Sequence, residues 1–238
     1  EGEVIDDDLF IAGETVEING TVNGDVFAAA SILKVNGTIN GSLAAGAQGI
    51  LINGTVSGSV YSGSSTLTLG EGAEIGRNLY FGGFNLTTEP GSIVNKDLLV
   101  GGYQALLSGE IGRNVRAGVA ALEINGYIGN DVLAEVAAPA EAQQSYFFST
   151  PPGVETVVPS GIRVSEEAQI GGILQYKSSQ DQSNAIEISP SGGISYEYDP
   201  QMDPKADPEE AGRVSTTALV ASWILKQIRV FITLLLLG

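Results

Sequence analysis

A five-residue signature returns along the chain at an almost constant interval, and that interval limits the possible folds more than any other feature. It reads apolar, any residue, Gly or a basic residue, Asp/Asn/Ser, apolar. Clear copies are Val22-Asn23-Gly24-Asp25-Val26, Ile39-Asn40-Gly41-Ser42-Leu43 and Ile75-Gly76-Arg77-Asn78-Leu79. Others begin at Val56, Val94, Ile111 and Ile128, and Ile5-Asp6-Asp7-Asp8-Leu9 fits at the start. From Ile5 to Ile128 the first positions are 17, 17, 17, 19, 19, 17 and 17 residues apart. Weaker copies at Ile170…Leu174 and Ile194…Tyr198 follow the lead-ins Ile162-Arg163-Val164 and Ile186-Glu187-Ile188, which brings the count to ten. A second motif keeps phase with the first: Asn19-Gly20, Asn36-Gly37, Asn53-Gly54 and Asn125-Gly126 each stand three residues before their anchor. Such a period marks a repeat architecture in which each unit buries its apolar face only against its neighbours.

Within a repeat, short runs alternate apolar and polar, which reads as strand. Small residues punctuate each repeat at three places: the signature corner, a pair such as Gly82-Gly83, Gly101-Gly102 or Ala29-Ala30, and the Asn-Gly step. Gly and Asn accept the positive φ of tight corners. Three corners in about 17 residues predict a triangular coil, and ten coils stacked at strand spacing make a rod on the order of 43 Å long. The expected fold is all-β, a parallel β-solenoid of about ten coils, with the Asn and Asp corners stacked in hydrogen-bonded ladders. The Ile, Val and Leu anchors point inward, with small Ala, Ser or Val two residues later.

The solenoid is expected over residues 1–198, interrupted at about 135–161 by a segment rich in Ala, Pro, Gln and Ser that contains Tyr146-Phe147-Phe148. A shorter interruption covers Lys177–Asn184. An acidic, Pro-spaced linker follows at 199–212. The pattern of residues 213–238 is helical and apolar, with Trp223, Lys226, Arg229, Phe231 and the run Leu234-Leu235-Leu236-Leu237. The run is too short for a full span; it reads as an amphipathic helix at the membrane surface with Trp223 at the headgroups or as the start of a transmembrane helix, and the expectation is a combination, an interfacial turn or two and then the start of a span.

Composition narrows function. The chain has 28 acidic and 11 basic residues, a net charge of −17, which leaves no basic footprint for nucleic acid. It has no cysteine and no histidine, so Cys-based metal sites and the usual general base are missing. No catalytic residue, cofactor or metal is expected. Asp25, Asp97 and Asp131 share a corner but lack the spacing of a calcium repeat. Asn-x-Ser/Thr at Asn19, Asn36, Asn40 and Asn53 follows from the repeat itself, and a further copy stands at Asn85.

The motif Ile18-Asn19-Gly20-Thr21-Val22-Asn23-Gly24-Asp25-Val26 and its copies resemble those of bactofilins and related polymer-forming cytoskeletal proteins. The resemblance covers residues 5–133 well and 162–198 weakly. It implies a right-handed parallel β-helix that polymerises end to end without nucleotide. The insertion, the acidic linker and the apolar C-terminal segment depart from that family and look more like an envelope-anchored relative.

These readings converge on a self-assembling scaffold at the bacterial cell envelope, with itself and the membrane as partners. The alternatives are a surface adhesin or polysaccharide-binding solenoid and, third, a carbohydrate-active enzyme. Absent cysteine and a first residue other than Met favour the extracytoplasmic side; Lys226 and Arg229 ahead of the apolar run favour the other. Ile5, Leu9, Phe10 and Ile11 are the expected stacking interface, since an open coil edge templates pairing. Phe10, Phe27, Tyr61, Tyr80 and Leu99 follow the second anchor and form an outward stripe, read either as a lateral contact or as cross-strand stacking that stabilises the sheet. Arg77, Lys96 and Arg113 share one corner on successive coils. They read first as charge balance and second as an anion or polysaccharide site, envelope polysaccharide being the possible further partner.

Overall fold

The computed structural model describes residues 2–139 and 157–200. The expected C-terminal helix, with its membrane residues from Trp223 to Leu237, lies outside them, as does the linker beyond residue 200. Among the described residues the chain is a parallel β-solenoid of about ten turns. A three-residue 3-10 turn stands at Ser183–Ala185, and among the described residues no helix is long and apolar enough to cross a membrane.

Every strand pairing is parallel, and each of the first seven coils contributes one short and one long strand. The two-residue strands, from Val4–Ile5 to Gln169–Ile170, form a nine-stranded sheet. The long strands, of ten residues in the first seven coils (Leu9–Ile18, Val26–Val35 and so on), build an eleven-stranded sheet. The pairing register skips the sixth residue of each long strand, for example Ser65, Phe84 and Tyr103. The wall bends there. In Val60–Leu69 the buried side chains Val60, Ser62 and Ser64 give way to Leu67 and Leu69, so the inward phase shifts by one residue at the bend. The expected corner at the small pair therefore lies one residue further on, and the three-walled coil stands.

The core is a set of columns. The anchors Val26, Leu43, Val60, Leu79, Leu98, Val115 and Val132 stack fully buried, as do Ile39, Val56, Ile75, Val94, Ile111 and Ile128 across the lumen. Two residues after the first set comes the expected column of small residues, Ala28, Ala45, Ser62, Val100, Ala117 and Ala134, interrupted by buried Phe81. Gly83 makes room for the coil beneath and for Phe81: a Cβ at that glycine would stand 1.7 Å from the Ser64 carbonyl oxygen and 2.6 Å from Phe81 Cζ.

The Asn-Gly glycines serve a purpose other than the positive φ that the sequence suggests. Gly37, Gly54 and Gly126 do not have positive φ. A Cβ at Gly37 would lie 2.0 Å from the Gly20 carbonyl oxygen, at Gly54 2.0 Å from that of Gly37, and at Gly126 2.1 Å from that of Gly109. Glycine is required because the coil beneath passes too close. Positive φ is used in the two 19-residue coils, at Gly72 (φ 82) and Gly91 (φ 83), where the corner widens into a turn closed by Ala73 N–H to Gly70 O (3.0 Å) and Ser92 N–H to Glu89 O (3.1 Å).

Polar ladders hold the corners. Asn36 donates from Nδ2 to Asn19 Oδ1 (2.8 Å), and Asn53 to Asn36 (3.0 Å). At the signature corner the side chain of one coil accepts the backbone N–H of the next: Asp25 N–H to Asp8 Oδ1 (2.8 Å), Ser42 N–H to Asp25 Oδ1 (2.7 Å), and onward through Ser42, Ser59, Asn78, Asp97, Asn114 and Asp131 to Ile173 N–H (3.0 Å). Any short acceptor suffices, so Asp25→Ser is expected to be near neutral. Asp25→Ala strands the Ser42 amide and should cost about 1 kcal/mol, read as a lower urea midpoint at unchanged slope.

The main interruption opens at a bend. Val132–Val136 pairs with the first half of Val115–Ile124, and Gly161–Val164 with its second half. The insertion thus replaces the single bend residue of one coil, and the coil resumes in register after it. Its return arm folds back along the bend, where the Val158 amide donates to Gln104 Oε1 (3.0 Å).

Candidate assembly surfaces

At the N-terminal end, Val4–Ile5 and Leu9–Ile18 are the outermost strands of their sheets, so among the described residues one edge of each is unpaired. Ile5, Leu9 and Ile11 point into the lumen and are half-buried, because no coil lies above them in the described residues. Phe10 faces outward on the same strand, 74 % exposed. The four residues thus lie on two walls, Ile5 on the short strand and the others on the long one, with three at the open end of the core and Phe10 on the outer surface. The neighbouring acids are engaged with their own rod. Asn23 Nδ2 donates to Asp6 (2.6 Å), Asp8 accepts from Asp25, and the Asp8 amide donates to Asp7 Oδ1 (2.8 Å). The amide that coils two to nine direct at the coil before them is satisfied here by an adjacent side chain.

The outward stripe is one column by register: Phe10, Phe27, Ala44, Tyr61, Tyr80, Leu99, Arg116 and Leu133. Phe10 and Phe27 stack at 4.7 Å between centroids, and Tyr61 and Tyr80 at 4.9 Å, with Ala44 dividing the pairs. The spacing is that of the coils, so the stacks contribute to cross-strand stability. Phe27 and Tyr61 remain 40 % exposed. A second stack, Phe84 on Tyr103 at 4.8 Å, stands at the bend. The sequence reading passed over it, although Gly82-Gly83-Phe84 and Gly101-Gly102-Tyr103 repeat at the 19-residue step.

The corner cations are rungs of one ladder. Arg77 N–H donates to Gly58 O, Lys96 N–H to Arg77 O and Arg113 N–H to Lys96 O, each at 3.1 Å. Asp97 lies 3.7 Å from Arg113.

Toward the C-terminal end a polar cluster closes the ninth coil, with no counterpart in the repeat pattern. Tyr176 is fully buried; its hydroxyl donates to Asp181 Oδ1 (2.7 Å) and accepts from the Gln182 amide (2.9 Å). Ser183 donates to the same carboxylate from its hydroxyl and its amide. Gln182 is buried too: its Oε1 accepts from Ile162 N–H (2.8 Å), and its Nε2 donates to Ala137 O and Ser178 Oγ. The Ser183 hydroxyl, then Tyr176, hold the Asp181 carboxyl below its ordinary value, while burial pushes the Tyr176 hydroxyl up.

No protein-family model, no curated protein and no solved structure matches the chain.

Proposed function

We propose that the chain is a bactofilin-like, self-assembling scaffold of the bacterial cell envelope, associating through its N-terminal coil and held at the membrane by its C-terminal segment. The observation that carries this reading is the ten-residue edge of Leu9–Ile18, unpaired among the described residues, beside the half-buried core residues Ile5, Leu9 and Ile11. Such an edge offers a full row of backbone donors and acceptors to another strand. A second copy presents the same edge, and pairing would bury the apolar end of both rods. The apolar run ending in Leu234-Leu235-Leu236-Leu237, with Trp223, Lys226, Arg229 and Phe231 before it, supports the anchor, and the absence of cysteine supports the extracytoplasmic side.

Negative-stain microscopy and sedimentation velocity of the chain beside an Ile5→Lys/Phe10→Lys variant test the assembly. Filaments or end-to-end dimers are expected for the unaltered chain, and isolated short rods of unchanged circular dichroism for the variant. Isolated rods in both samples would overturn the reading.

A further inference from the structure

Coils two to four carry Gly24, Gly41 and Gly58 at the signature corner, and the coil after Arg113 carries Asn130; the backbone ladder runs unbroken from Gly41 through Gly58, Arg77, Lys96 and Arg113 to Asn130. The corner therefore needs no side chain. Three cations on consecutive rungs, about 4.8 Å apart, repel one another. Their compensation is slight. Arg113 has Asp97 at 3.7 Å, whereas Arg77 and Lys96 are exposed and have no carboxylate within 4.0 Å among the described residues. Glu74, on the coil of Arg77, accepts instead from Asn95 Nδ2 (2.9 Å). A chain of net charge −17 thus places a cationic rail along its axis where its own fold asks for none.

The surface beside the rail is of a different kind. The next outward column holds Tyr80, Leu99 and Arg116, and the one after it Gly63, Gly82, Gly101 and Gly118. A Cβ added at Gly63 or Gly118 meets nothing within 4 Å, and neither residue has positive φ. Neither packing nor backbone geometry calls for glycine, which weakens a strand interior and marks places where another molecule approaches the backbone closely. The wall thus offers cations along one edge and a flat, partly apolar floor beside them.

We infer that this wall, over coils four to seven, binds a linear acidic polysaccharide laid along the rod. Carboxylates on one edge of the glycan meet Arg77, Lys96 and Arg116 through charge-assisted bonds, and the C–H faces of the sugar rings lie on the glycine floor. A phosphate polymer matches the rail but lacks the flat apolar face. The site is separate from the N-terminal edge and does not depend on assembly.

The test is calorimetric titration of the full chain with polygalacturonate, with neutral dextran and inorganic polyphosphate as comparisons. Arg77→Gly/Lys96→Gly restores the residues of the earlier coils. It should weaken polygalacturonate binding by about tenfold or more while leaving the melting temperature unchanged or raised. Gly118→Leu, which fills open space, should weaken polygalacturonate but not polyphosphate. Dextran should not bind, and Ile5→Lys/Phe10→Lys should bind polygalacturonate normally. No polygalacturonate binding at low ionic strength, equal binding by the double variant, or indifference to Gly118→Leu would each overturn the inference.

Discussion

Gly54→Ala is expected to lose more than about 4 kcal/mol of stability, at the far end of single-substitution effects. The added methyl would sit 2.0 Å from the Gly37 carbonyl oxygen, which is backbone and has no rotamer to leave by. The coils have no freedom to part. Thr55 N–H is bonded to that same oxygen at 3.1 Å, and Asn53 to Asn36 at 3.0 Å beside it. Gly63→Ala is the matched control. It lies on the next long strand with nothing within 4 Å of the new Cβ and ordinary φ, so it should be neutral or stabilising by about 0.4–1 kcal/mol through the unfolded chain. Urea denaturation of the two variants reads the difference directly. Equal midpoints would show that glycine is not placed by the approach of the coil beneath.

The second large effect belongs to Tyr176. Tyr176→Ala removes a fully buried ring and should cost about 3–5 kcal/mol, whereas Tyr176→Phe keeps the ring and strands the Gln182 amide for about 1–3 kcal/mol. Because a solenoid is stabilised by nearest neighbours, the loss should stay local. Hydrogen exchange should quicken over Leu174–Ser178 and Ile194–Tyr198 and remain unchanged over Val26–Val35. Asp181 adds a pH dependence of known sign. Its folded carboxyl is held below the unfolded value by Ser183 and Tyr176, so its contribution is present above the unfolded value and fades as pH falls through the folded one. Acid should therefore open the ninth coil first, and Asp181→Asn should remove that acid-sensitive phase. Uniform exchange along the rod would contradict the nearest-neighbour account.

The parts of the fold legible in the sequence are those set by spacing. Val22, Ile39 and Val56 lie 17 residues apart because a closed coil of fixed perimeter returns each inward position above the last, and the pairing of Val22 with Ile39 and of Ile39 with Val56 follows. The Asn19, Asn36 and Asn53 ladder was legible for the same reason. The bend was misplaced by one residue because Gly82-Gly83 looks like a corner, whereas the residue that leaves the ladder, Phe84, looks like a strand residue. The Asn-Gly glycines were recognised but misexplained, since contact between coils 17 residues apart has no local signature. The Tyr176, Asp181 and Gln182 cluster was hidden because it joins one interruption to another, through Gln182 and Ala137, and to Ile162 on the preceding coil. Of the surfaces, the stripe from Phe10 to Leu99 could be read from register alone; whether its rings stack or stand apart required coordinates.

The signature ladder runs one way: each coil holds out an acceptor that only the following coil can fill. During synthesis the acceptor on Asp8 exists before the amide of Asp25 has emerged, and Asp25 before Ser42. The rod can therefore grow vectorially behind the ribosome, each finished coil serving as the template for one not yet made, with each early rung of the ladder waiting only on the coil that follows. That rhythm is broken once. The carboxylate of Asp131 reaches Ile173, 42 residues later, so seven coils and the first half of the eighth can stand while the remainder is still to come.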